Sequence, residues 1–112
     1  MDAARLRRTQ DIAKVRAEGR AIRAEGPFSL RVRPADEAVV RIAVHAAGEI
    51  NGSVRRNRAR RRVREALRLA LRDRQPGRGA DLLVAAKRGA LTAPAARLRE
   101  AAGRALDEAL GR

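Results

Sequence analysis

The 112-residue chain contains no cysteine, tryptophan or tyrosine, one methionine and one aromatic residue, Phe28. The lack of cysteine excludes disulfides and thiolate metal sites. With a single aromatic ring, any core must be built from Leu, Ile, Val and abundant Ala. Long apolar runs are also missing, since no window approaches the roughly 18 consecutive apolar residues of a membrane span. The opening Met1-Asp2-Ala3-Ala4-Arg5-Leu6-Arg7-Arg8 has no apolar signal segment, so a cytoplasmic protein is expected.

Acidic residues are scarce as well: 13 Asp and Glu face 27 Lys and Arg, giving a formal charge of +14. All the basic residues except Lys14 and Lys87 are arginine. A codon bias can account for Arg in place of Lys, but not for the net excess. Such an excess repels itself and favours a polyanionic partner. No basic amphipathic segment carries the bulky apolar face that membrane insertion needs, so nucleic acid is the expected partner and a membrane is not. At 45% hydrophobic residues the chain is too apolar for a disordered basic tail. Its length accommodates one domain, residues 1–112.

Periodicity sets the expected elements. Thr9 is placed to cap a first helix over 10–18, with Ile12 and Val15 as its apolar pair and Gly19 as a left-handed stop. A short strand is expected over 20–23. Phe28-Ser29-Leu30-Arg31-Val32-Arg33 alternates as a half-buried strand does, and Pro34-Ala35-Asp36-Glu37 reads as a turn. Val40, Ile42 and Val44 alternate with Arg41, Ala43 and His45, predicting another antiparallel strand. Ser53 is placed to cap a helix over about 53–74, ended by Pro76-Gly77. Asp81-Leu82-Leu83-Val84-Ala85-Ala86 is apolar on both faces, as a central strand is. Thr92 is placed to cap a last helix lined by Leu98, Ala102, Ala105, Leu106, Ala109 and Leu110. The order α-β-β-β-α-β-α describes one α+β (α/β) two-layer sandwich.

Between Arg55 and Arg68 lie eight arginines: Arg55, Arg56, Arg58, Arg60, Arg61, Arg62, Arg64 and Arg68. At 100° per residue, Asn57, Arg61, Arg64 and Arg68 share a stripe opposite Ala59, Val63, Ala66 and Ala70. One face then packs on the sheet, and the other offers guanidinium forks that match phosphate oxygens. A merely solubilising face normally mixes charges, whereas this segment holds eight Arg and one Glu. Asn57 suits a base edge, a 2′-hydroxyl or a hydrated metal. Glu65 is spaced to hold Arg61 or Arg62. Asn57 and Glu65 are the only candidate metal positions, and no dedicated metal site is expected.

Arg56-Asn57-Arg58-Ala59-Arg60-Arg61, followed by Arg64-Glu65 and Leu67-Arg68, closely resembles the RNR-x-(K/R)R-x-x-RE helix of the bacterial ribonuclease P protein subunit. Leu6, Asp11, Val15 and Gly19 resemble that family's first helix. Phe28-Ser29-Leu30, Arg41-Ile42-Ala43-Val44 and 79–87 resemble its strands. The resemblance implies the fold of the second domain of ribosomal protein S5, with an unusual left-handed β-α-β crossover. It also implies a helper without an active site of its own, which binds the catalytic RNA and the 5′ leader of precursor tRNA. In that family the RNA with its bound Mg2+ cuts the leader, and no obligate protein partner is expected. The basic helix would meet the RNA subunit. A separate cleft, with Ile12, Arg16, Phe28, Arg31 and His45 as candidates, would receive the leader.

The cleft departs from the family pattern. Ile12, Arg16 and Arg31 stand where aromatics are usual. Guanidinium planes stack on bases too, so Arg16 and Arg31 are either replacements or solvated side chains, and Ile12 is either cleft or core. His45 is either a plain surface residue or a leader contact. Before the basic helix, Gly48-Glu49 replaces a Lys pair, and Asn51 stands at the usual Gly of the turn. The rival reading is a ribosomal or nucleoid basic protein without a nuclease role. Nothing supports an autonomous nuclease: Asp11, Asp36, Glu49, Glu65, Asp73 and Asp81 have no metal-ligand spacing, and a lone His builds no triad.

Overall fold

The computed structural model describes residues 3–22, 26–74 and 79–111. In chain order these form β1 (Ala4–Arg5), α1 (Thr9–Glu18), β2 (Arg20–Ile22), β3 (Phe28–Ala35), β4 (Val40–Ala46), α2 (Ser53–Arg72), β5 (Gly79–Ala86), a 3-10 turn (Arg88–Leu91) and α3 (Ala95–Ala109). The expected order holds, with the two-residue β1 and the 3-10 turn as additions. A two-residue strand carries too short a pattern to be read from sequence.

One mixed sheet has the order β1-β4-β5-β3-β2. β5 is its centre, which explains a segment apolar on both faces. It runs antiparallel to β3 and parallel to β4. The expected antiparallel β4 is therefore corrected: β4 pairs in parallel with β1 and β5 and does not form a hairpin with β3. β5 enters between the two, and only a strand with two apolar faces can occupy that slot. β3 also continues through Pro34 and Ala35, which sit opposite Ala80 and Gly79. β2 pairs only with Leu30–Val32, so Pro34 stands where that side of β3 has become an edge.

The even-numbered residues Phe28, Leu30, Val32, Val40, Ile42, Val44, Leu82 and Val84 point to one face. There they pack with Val63, Leu67 and Leu71 of α2 and with Leu98 and Leu106 of α3. This is the expected sheet-and-helix sandwich. α1 covers part of the other face, where Val15 packs with Leu6 and Leu83, against half-buried Ile12 and Ala43. Alanines 59, 66, 70, 101, 102 and 105 keep the contact surfaces of α2 and α3 thin, which replaces bulk by close approach.

The helix ends differ from expectation. Thr9 and Ser53 are the first residues of their helices; the caps are Arg8 and Gly52, and neither makes a side-chain cap bond. Gly52 has φ 89°, and no non-glycine residue described has a positive φ, so the turn uses Gly52 and not Asn51. Thr92 closes the 3-10 turn, and α3 is capped by Pro94. Gly19 is extended (φ −72°, ψ 150°), not left-handed. Its reason is space: a Cβ there would lie 2.4 Å from the Val15 carbonyl oxygen. α2 ends at Arg72, and the expected Pro76-Gly77 break lies outside the described residues.

Candidate nucleic-acid interface

α2 separates its two faces cleanly. Ala59, Val63, Ala66, Leu67, Ala70 and Leu71 are buried. Arg55, Asn57, Arg58, Arg61 and Arg68 are exposed on the other side, and Arg56, Arg60 and Arg64 are half-buried between. The first turn contains no acid. Arg55 and Arg56 thus add positive charge at the positive end of the helix dipole, an arrangement that an anion relieves.

The arginines divide by what they touch. Arg62 donates to the carbonyls of Ala90 and Ala93, at 2.6 Å each, and fastens α2 to the segment before α3. Glu65 accepts from Arg68 at 2.6 and 3.0 Å, not from Arg61 or Arg62. Helical side chains lean toward the N-terminus, so Arg68 leans onto Glu65 while Arg61 leans away from it. Hydrogen bonding from Arg68 holds the Glu65 carboxyl below its ordinary pKa, against an opposing effect of desolvation and with further help from the charges of Arg68 and Arg72. Arg60 donates to the Asn57 side-chain oxygen, and Arg56 reaches the Ile50 carbonyl at 3.4 Å. Arg55, Arg58 and Arg61 have no hydrogen-bond or ion-pair partner among the described residues.

A second basic surface lies on the sheet face that carries α1. Arg5, Arg7, Ile12, Arg16, His45 and Arg64 line one groove. Arg16, Ser29, Arg31, His45 and Lys87 line its continuation, with Leu83 on the floor of both. Four of the five cleft candidates, Ile12, Arg16, Arg31 and His45, meet there. The fifth does not. Phe28 is fully buried on the opposite face, beneath the helices. Period-two alternation puts Phe28 and Arg31 on opposite faces, so the strand that presents one to the groove must bury the other. Arg64 joins the two surfaces, because it belongs to the outer stripe of α2 and lines the groove beside Arg5. Burial, and after it the charges of Arg5 and Arg60, push its pKa down from the ordinary value.

Sequence reasoning missed one cluster under this groove. Arg41 donates to both carboxylate oxygens of Asp81, at 2.8 and 2.7 Å, and reaches Asp11 of α1 at 3.5 Å. Asp81 is 2% exposed. The available signal was an acid opening an otherwise apolar central strand, which demands a cation next to it. Through Arg41, Asp11 ties α1 to the sheet. Among the described residues no group of three His, Asp or Glu could hold a metal ion, and both candidate metal positions, Asn57 and Glu65, already accept from arginines.

The family model for ribonuclease P matches residues 1–110. The chain belongs to the ribonuclease P protein family. Among curated relatives, the ribonuclease P protein component of Chloroflexus aurantiacus is 45% identical over 69 residues, 62% of this chain and 50% of that protein. The corresponding component of Caulobacter vibrioides is 48% identical over 44 residues, 39% of this chain and 30% of that protein. The chain thus spans about half the length of the first of these relatives. The ribonuclease P protein of Staphylococcus aureus superposes with a TM-score of 0.74 at 16% identity, over 96% of both chains. That of Thermotoga maritima gives 0.69 at 22% identity, over 95% of this chain and 94% of that one. These structures establish a ribonuclease P protein fold along nearly the whole chain.

Proposed function

We propose that this chain is the protein subunit of a ribonuclease P ribonucleoprotein that removes the 5′ leader of precursor tRNA. The exposed row of α2 binds the catalytic RNA, and the groove beside α1 receives the single-stranded leader. The observation that carries this reading is the contiguity of the two surfaces through Arg64, with Arg55, Arg58 and Arg61 left for phosphates. The protein supplies positioning and charge neutralisation. On this reading, as the family resemblance implies, the RNA partner performs the cleavage and holds the Mg2+ ions. In the groove, Arg16 and Arg31 take the places of stacking aromatics, and their planar guanidinium groups pair with phosphate or lie flat on a base.

The rival ribosomal or nucleoid reading draws no support from the relatives described above. The test is cleavage of precursor tRNA at low magnesium by the ribonuclease P RNA of the same organism, with and without this protein. The expected result is stimulation of the RNA and no cleavage by protein alone. Tight RNA binding without stimulation would overturn the reading in favour of a ribosomal or nucleoid role.

A further inference from the structure

A groove of about 1010 Å³ opens between α2 and the start of α3, apart from the α1 groove. Its lining is mostly apolar: Ala66 and Leu98 are buried, and half-buried Leu69 comes from the otherwise charged side of α2. A leucine among Glu65, Arg68 and Arg72 is out of place on a helix face built only for solvent or phosphate. Arg58 and Arg61 stand on the rim with no partner among the described residues. Glu100 of α3 lines the same groove and likewise has no partner there.

We propose that this groove receives one unstacked nucleotide of the RNA partner, a finer assignment that rests on the ribonuclease P reading. The base lies against Leu69, Leu98 and Ala66, as bases taken out of a stack do between apolar side chains. Its flanking phosphates meet Arg58 and Arg61. Glu100 offers an acceptor to an exocyclic amino group, favouring a base that donates on that edge. The volume is at the upper end of the range for pockets that enclose a small organic group.

The test uses the full chain with its leucine methyls isotopically labelled, bound to the ribonuclease P RNA of the same organism. A stacked base moves the Leu69 and Leu98 methyl resonances upfield by its ring current. Inorganic polyphosphate, which has charge but no rings, leaves them in place. In parallel, Leu69→Arg fills the groove and is expected to weaken RNA binding about tenfold despite adding a positive charge, the scale of one lost apolar contact surface. Circular dichroism melting of that variant checks its fold, and Leu69→Ala gives a milder loss if Leu69→Arg does not fold. Methyls that stay in place while Arg61→Ala weakens binding overturn the groove assignment and leave the RNA reading intact. The same holds if Leu69→Arg binds as well as or better than the parent. A chain that does not bind the RNA at all, or whose binding ignores Arg61→Ala, overturns the RNA reading of α2 itself.

Discussion

Arg41 and Asp81 are register partners across the parallel β4–β5 pair, and their side chains meet in a two-pronged ion pair on the face that carries α1. Asp81 is buried and Arg41 is about one-third exposed, so removing the cation leaves a buried carboxylate without its main partner. Arg41→Ala is predicted to cost about 3 kcal/mol in urea unfolding, at the low end for broken buried pairs because water reaches part of the site. Arg41→Leu combined with Asp81→Leu should recover most of that loss. A single substitution that costs under about 0.5 kcal/mol would mean that the pair is solvated.

Much of this architecture is legible in the sequence because local period and burial agree. The alternation of Phe28–Arg33 and the spacing of Ala59, Val63, Ala66 and Ala70 assign faces that the structure keeps. What was not legible is non-local. Nothing in the period of β4 says that β5 will separate it from β3. Nothing local says that Arg62, identical in type to Arg61, will turn inward to two carbonyls. Phe28 differs for another reason: the family resemblance assigns it to the cleft, whereas its own place in the alternation puts it on the buried face.

Arg61 and Arg62 are neighbours with opposite consequences. Arg62→Ala is predicted to lower stability by about 1.5–3 kcal/mol through two lost charge-assisted bonds, with the salt dependence of RNA binding unchanged. Arg61→Ala should leave the melting curve in place and make the plot of log K against log salt shallower by about 0.7–0.9. Arg58→Ala is expected to behave as Arg61→Ala does. Unchanged slopes for both would refute phosphate contact by this face.

Gly79 begins β5 beneath the β3–β4 connection. A Cβ there would lie 1.8 Å from the Glu37 carbonyl oxygen and 2.4 Å from that of Val39, both backbone atoms. Gly79→Ala is therefore expected to destabilise by about 2–4 kcal/mol, since neither neighbour can turn aside as a side chain would. Gly48 has open space around it and no positive φ, so Gly48→Ala should be neutral or stabilise by about 0.4–1 kcal/mol. Thermal unfolding of both variants checks the contrast.

Glu65 titrates below its ordinary value of 4.5 because Arg68 hydrogen-bonds the charged form. The sign follows from the depressed folded value. Its stabilising contribution is complete above the unfolded pKa and is lost as pH falls through the lower folded one. A carboxyl NMR titration should give a midpoint below 4.5 in the parent chain and a return toward 4.5 in Arg68→Gln. The same midpoint in both chains would remove Arg68 as the cause.

Arg31 and Arg16 line the groove from different elements, β3 and α1, with His45 between the two halves of its lining. If they do the work of stacking aromatics, their loss must act on the leader and not on the catalytic RNA. Arg31→Ala is predicted to lower the preference for precursor over mature tRNA about tenfold, the scale of one lost base stack, while the affinity for the RNA subunit holds. Arg31→Tyr should keep that preference, because an aromatic ring offers the same flat surface, and should make leader binding less sensitive to salt by removing one phosphate-pairing charge. Arg16→Ala is expected to follow Arg31→Ala. Competition binding with precursor and mature tRNA at two salt concentrations separates the cases. An equal loss on both substrates would place Arg31 outside the leader path, and a loss that Arg31→Tyr fails to restore would identify its contribution as charge alone.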